Sequence, residues 1–263
     1  MAFIRPYKDS DFDACAHICI ATLPPTLAAS PAAAKLSPYL WTHPYTFLSP
    51  STCHVLDDGT GTAVGYCIGC PNVHAFAAGY ERYISAILSR DVEAPAFAIR
   101  EPWLMPVEAV SSTCNTSRLQ EQQEKQQQQG QQNPSNESNN INVGEETASR
   151  EMMIVNPRAL AQNAYRADWM LLENKDAVTR RWCATMHIDL LPPWQGRGWG
   201  RQLIDRFIAS VQSSGADYGE GEHIGVAGEN SKVVPFYEKV GFRVIEGGES
   251  EGTIWMVRDI EKV

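Results

Sequence analysis

An α/β fold is predicted by three local patterns that alternate strand with helix along the chain. The first residues read strand, turn, helix, and two β-like runs at 52–56 and 63–68 flank Asp57-Asp58-Gly59-Thr60-Gly61, a hairpin signal. Late in the chain a strand at 183–190 runs through a glycine-rich loop into an amphipathic helix. The 263 residues admit one large domain or two small ones. A single catalytic domain over 1–263 is the economical reading.

Each element has its own signal. Phe3–Pro6 is a short strand, and Asp9, Ser10 and Asp11 offer caps before Phe12, Cys15, Ile18 and Cys19 recur at helical spacing. After the hairpin, Phe76, Tyr80, Tyr83, Ile84, Ile87 and Leu88 mark one apolar face of one long amphipathic helix. These aromatics read as core rather than as a ligand box. From 111 to 150 the composition turns to Gln, Asn, Ser and Glu, with Gln126, Gln127, Gln128 and Gln129 consecutive. Such a stretch buries too little apolar surface to offset its ordering entropy, so a flexible, disordered insertion within the domain is expected. A linker between two domains and a partner-recruiting tract are the alternatives. Helical spacing resumes at 157–172, where Pro157 suits a first turn.

Composition narrows the function. Hydrophobic residues make up 43% and charged residues 20%, and the formal net charge of −9 argues against a general affinity for nucleic acid or for an anionic membrane. No apolar run approaches the roughly 20 residues that cross a bilayer, and the N-terminus has no signal-peptide core. A cytoplasmic protein is expected, with the nucleus left open. Seven cysteines, most among apolar neighbours, read as reduced packed thiols. The single C-x-x-C, Cys67 to Cys70, lacks the second ligand pair of a zinc site and does not open a helix, so no metal is expected.

The chemistry concentrates in the last third. The strand Cys-Ala-Thr-Met-His-Ile-Asp-Leu is followed by Leu191-Pro192-Pro193-Trp194 and Gln195-Gly196-Arg197-Gly198-Trp199-Gly200, after which Leu203, Ile204, Phe207, Ile208 and Val211 form an apolar stripe. Glycines at such a junction let successive N–H groups face an anion, and the helix N-terminus adds partial positive charge. Arg201 and Gln202 stand where a P-loop needs Lys and Ser or Thr, and the loop reads G-x-G-x-G rather than the dinucleotide fingerprint. Gln195-x-x-Gly198-x-Gly200 instead resembles the acetyl-CoA pyrophosphate loop of the GNAT N-acetyltransferases. About 30 residues on, Gly228-Glu229-Asn230-Ser231 and then Val234-Pro-Phe-Tyr-Glu-Lys-Val-Gly-Phe resemble that family's Asn-capped helix closing on Gly-Phe. His-Ile-Asp-Leu-Leu-Pro with the glycine loop is also similar to acetyltransferase-like domains related to those attached to O-GlcNAc hydrolases, although the chain is too short to hold a glycosidase domain as well. The resemblance covers 183–242 strongly, 1–90 more weakly and the insertion not at all.

It implies a central twisted mixed sheet flanked by helices on both faces, and acetyl-CoA as co-substrate. It implies that main-chain amides of Gln195, Gly196, Arg197, Gly198, Trp199 and Gly200 hold the pyrophosphate, and that backbone around Leu190 and Leu191 aligns the pantetheine arm. Arg197 and Arg201 either add charge near the phosphates or are solvated surface arginines. Asn230 caps the following helix, and in the family a residue there commonly also bonds the arm. Tyr237 occupies the position whose phenol protonates the departing thiolate, a role its ordinary pKa of about 10 suits.

His187 and Asp189 lie two apart on a strand and so face one side. Either is a candidate base, with the other binding or orienting the amine, and the resemblance does not choose between them. His223 is a third candidate, weighed against a satisfied core histidine. The expected activity is acetyl transfer to the primary amine of a small molecule, an amino sugar or another amine metabolite. The alternative is a catalytically silent relative that binds CoA or a partner. A homodimer is left open.

Overall fold

In the computed structural model the described residues are 1–107, 153–250 and 252–262, so the insertion expected at 111–150 lies outside them. Nine strands are described: β1 (Phe3–Pro6), β2 (His54–Asp57), β3 (Ala63–Cys70), β4 (Leu104–Pro106), β5 (Met153–Val155), β6 (Ala184–Leu190), β7 (Gly221–Ala227), β8 (Arg243–Ser250) and β9 (Thr253–Asp259). Seven form one sheet in the order β1-β2-β3-β6-β7-β9-β8, and β4 pairs with β5 alone. All neighbours in the large sheet are antiparallel except β6 and β7, which makes it the mixed sheet expected.

The N-terminal corner is organised by one guanidinium. Arg5 on β1 donates at 2.6 and 2.8 Å to both oxygens of Asp11 and at 2.8 Å to Asp57 at the end of β2. Asp11 in turn accepts the Lys8 N–H, and Asp57 accepts those of Gly59 and Gly61, so the same ion group starts the first helix and folds the hairpin turn. The guanidinium beside it holds the Asp57 carboxyl below the usual range.

Helices cover both faces. On one, α1 (Phe12–Ala21) presses Cys15, Ile18 and Cys19 onto β3 and β6, and short helical turns between residues 25 and 48 extend the layer. Also in this layer is α2 (Pro157–Tyr165), capped by the Asn156 side chain, which accepts from the Arg158 N–H. On the opposite face α3 (Trp199–Ser213) buries Leu203, Ile204, Phe207 and Val211 against β2, β3 and β6, and α4 (Val234–Lys239) packs beside it. Gly69 on β3 makes this approach close, since a Cβ there would stand 2.7 Å from the Phe207 ring and 2.2 Å from the Thr185 carbonyl.

Three expectations need correction. The long helix through 76–88 is a succession: Val73–Ala78 ends at Gly79, Tyr80–Tyr83 follows, and Ile84–Leu88 is a π-helical turn. The break and the widened turn let Phe76, Tyr80, Tyr83 and Leu88 all point inward, with Tyr80 edge-on to both other aromatics. Strand β2 begins at His54 because Pro50–Thr52 forms a 3-10 turn, and the helix at 157–172 breaks at Arg166. The six described cysteines are free and buried, Cys67 and Cys70 among them, and burial pushes their thiols up. No helix among the described residues is long and apolar enough to cross a membrane.

One buried group stands out. Glu222 on β7 is fully buried, neither carboxyl oxygen has a hydrogen-bond partner among the described residues, and burial pushes it up to about 8, with Arg258 opposing the shift. It is therefore largely neutral at pH 7, and the fold binds its proton more tightly than the unfolded chain does. The stability this gives is fully present below the unfolded value near 4.5 and is lost as pH rises through about 8. Urea denaturation between pH 6 and 9 is expected to show about 1 kcal/mol lost per pH unit near neutrality, a slope that Glu222→Gln flattens.

Candidate active site

The site is set by a parting of strands. β6 and β7 are parallel but pair only at Ala184–Glu222 and Thr185–His223. Beyond that point β6 stays locked to β3 through Leu190, and β7 stays locked to β9 through Ala227. The two arms diverge as a wedge, and from Met186 on β6 has no β-partner on its β7 side among the described residues.

At the mouth of the wedge the chain turns through Pro192–Trp194 into the glycine loop. Leu191 is tied down, its N–H donating to Val64 and its carbonyl accepting from Trp194, while the Leu190 carbonyl accepts from the Gln195 side chain at 2.7 Å. The groups that expectation assigned to the arm at Leu190 and Leu191 are thus partly engaged, and the unpaired stretch lies upstream of them. Gln195 departs from its expected role too, since its N–H donates to the Pro192 carbonyl at 3.2 Å; past it the loop is the reverse. Among the described residues, no amide of Gly196, Arg197, Gly198, Trp199, Gly200 or Arg201 has a hydrogen-bond acceptor, and the first bond of the helix end is Gln202 N–H to Gly198 O. Gly196 and Gly198 hold φ of 69° and 83°, which side-chain-bearing residues rarely adopt, and Gly198 at the N-cap supplies no side chain to satisfy the helix. Six open donors at a helix N-terminus fit an anion.

The charged neighbours divide. Arg197 is exposed and lies over the Trp194 ring, whereas Arg201 donates to the Lys239 carbonyl at 2.7 Å and closes the end of α4. Trp199 is half-buried in the core beneath α3, and Gly200 sits against Phe236. Asn230 does not cap α4: Val233 holds that position, and Asn230 lies in the preceding 3-10 turn, half-buried beside the open arm of the wedge.

On the α1 face of β6, His187 and Asp189 come together, Nε2 to Oδ2 3.4 Å. The sequence reading missed Tyr66. This fully buried phenol on β3, in register with Asp189, donates to Asp189 Oδ2 at 2.7 Å and lies 3.3 Å from His187 Nδ1. Nδ1 is also 3.2 Å from the Trp41 carbonyl. The one available signal was Tyr66 itself, a lone hydroxyl in an otherwise apolar central strand. Burial raises the Asp189 carboxyl, while His187, Tyr66 and Thr22 pull it back down.

Tyr237, on α4, packs half-buried with Ile188 and Leu190, its ring between Phe236 and Phe242. Burial and then the Asp189 charge raise its phenol well above the ordinary range, so it stays protonated. Its hydroxyl has no hydrogen-bond partner among the described residues. His223 is excluded: 3% exposed, bonded to the Trp182 carbonyl and lowered by burial to about 4, it is a core residue behind the wedge.

Among solved structures the chain is similar to SsHAT, at 23% identity over 99% of each chain with a TM-score of 0.64. It is also matched to the ribosomal-protein-S18-alanine N-acetyltransferase of Escherichia coli (13% identity, 100% of this chain and 96% of that one, TM-score 0.41) and to an agmatine N-acetyltransferase (11%, 97% of each, 0.41). These two looser likenesses carry no argument. No protein-family model matches the chain. The fold is the GNAT fold that the two motifs led us to expect.

Because Gly198 is held at positive φ, Gly198→Ala is expected to lower stability by about 1–2 kcal/mol although its Cβ would meet nothing within 4 Å. Thermal unfolding beside wild type measures it.

Proposed function

We propose that the chain is an acetyl-CoA-dependent N-acetyltransferase acting on the primary amine of a small molecule, an amino sugar or another amine metabolite. The observation that carries this is the wedge: an unpaired inner strand edge running into six open amides, with a proton-accepting pair on one face and a protonated phenol on the other. Acetyl-CoA supplies a thioester whose carbonyl carbon is open to attack by the amine. The open amides and the N-terminus of α3 would hold its pyrophosphate, with Arg197 adding charge. The unpaired β6 edge from Met186 to Asp189 would bond the amides of its arm as a neighbouring strand would, and Asn230, in the turn that follows β7, is the residue that would reach the arm from the far side.

The reaction then asks the protein for two proton movements. An ammonium must lose a proton before it attacks, and His187 with Asp189 is the acceptor, set among protein where a positive charge is drawn to the carboxylate. The departing sulfur must gain one, and Tyr237 is the donor, loaded at every physiological pH because burial opposes its ionisation; the second proton that the nitrogen sheds on becoming an amide then restores the phenol. The two groups need different protonation states at one pH, and the wedge supplies different surroundings for each.

Calorimetric titration with acetyl-CoA is expected to show binding that Gly198→Glu abolishes, since the carboxylate would stand among the open amides. A folded wild type that does not bind would remove the reading. Thiol release with an amine acceptor is expected to fall roughly a hundredfold in Tyr237→Phe with little change in acetyl-CoA affinity. Loss of affinity in proportion to turnover would take the proton-donor role from Tyr237.

A further inference from the structure

The Tyr66, His187 and Asp189 contacts constrain where protons can sit. A carbonyl only accepts, so the Trp41 contact assigns a hydrogen to His187 Nδ1 and leaves Nε2 as the ring's acceptor. Tyr66 has one hydroxyl hydrogen. Its 2.7 Å contact with Asp189 Oδ2 takes that hydrogen, and its oxygen is left toward the Nδ1 hydrogen at 3.3 Å. Two acceptors, Nε2 and Oδ2, then face each other at 3.4 Å. An ionised carboxylate and a neutral imidazole in that arrangement repel through their lone pairs, and exactly one added proton relieves both.

We propose that Tyr66 is a positioning residue that fuses His187 and Asp189 into one proton-accepting unit, so that the base is the pair and its proton resides between Nε2 and Oδ2. The inference rests on the acetyl-transfer reading for its purpose and, for its geometry, on three hydrogen bonds and the 3.4 Å approach of Nε2 to Oδ2. In the step it serves, an N–H bond of the substrate ammonium breaks, the electron pair stays on nitrogen as the nucleophile's lone pair, and the proton bonds to Nε2 or Oδ2. The unit passes from net charge −1 to zero, and the proton later leaves to solvent. Among the described residues the neighbours of the pair carry no charge. From α1 the Cys19 thiol faces the pair and burial pushes it up to about 12. Tyr66 from β3 and Tyr237 from α4 are held above their ordinary range, and the turn at Pro38–Trp41 contributes a carbonyl. All are uncharged at neutral pH, as is the Thr22 hydroxyl at the end of α1, which also acts on Asp189.

A Tyr66 hydroxyl that stabilises the carboxylate must weaken the unit's hold on its proton. Tyr66→Phe, which deletes one oxygen, is therefore expected to raise the proton affinity. The readout is the histidine ring resonance of His187 followed by NMR against pH, identified by its loss in His187→Gln. Its midpoint should move up by about one pH unit, the size expected of one hydrogen bond to a charged group. The acid limb of kcat/KM should move with it. In Asp189→Asn the shift caused by Tyr66→Phe should vanish, because the phenol acts through the carboxylate. An unchanged or lowered midpoint overturns the proposal, and so does a shift that persists in Asp189→Asn. Should Tyr66→Phe fail to fold, 3,5-difluorotyrosine at 66, a stronger donor, must lower the midpoint instead. The resonance needs no substrate, so a shift without thiol release from any amine would keep the unit and discard acetyl transfer.

Discussion

Two residue pairs hold β6 against β7, and the molecule is arranged around what happens after them. Parallel neighbours of seven residues each would ordinarily continue to pair. They do not, because each is clamped from outside: six registered pairs bind β6 to β3, and seven bind β7 to β9. Helices then fix the separation, α1 from one face and α3 with α4 from the other. The sheet's twist, the two apolar layers and the position of every site residue are consequences of keeping those arms apart. His187 and Asp189 project from the α1 side of β6, while Ile188 and Leu190 join the apolar cluster on the other side, to which Tyr237 also belongs.

Legibility in the sequence followed the range of the interaction. The glycine loop was readable because its conformation is a main-chain property: positive φ at Gly196 and Gly198 and an uncapped helix start leave a signature in six adjacent residues. His187 and Asp189 were readable as same-face partners from strand alternation alone. Tyr66 was not, because its place beside Asp189 comes from β3 pairing with β6 across 123 residues of chain. The same limit explains Arg201. Its charge suggested phosphate, and only the packing of α4 against α3 gives it the Lys239 carbonyl.

Local pattern also misled where packing overrode it. The aromatic face at 76–88 has ideal helical periodicity, yet a single straight helix would carry its later side chains off the core, and a glycine break with a π turn returns them. Asn230 precedes a helix in the manner of a cap, but a 3-10 turn intervenes and the helix starts at Val234. In both places the type of structure was right and the phase was wrong, which is the error expected when one-dimensional spacing stands in for three-dimensional contact.

The open inner strand has a further meaning for the protein as a solute. Most sheets have two edges, and natural proteins guard them with charge, proline or brevity. This sheet has its outer edges at β1 and β8 and a third inside, along β6 from Met186, reachable through the wedge. An inner edge cannot be guarded by the usual devices without losing its use. It is a row of main-chain groups that an extended polypeptide could also pair with, so on the acetyl-transfer reading proposed above the co-substrate would double as a chaperone.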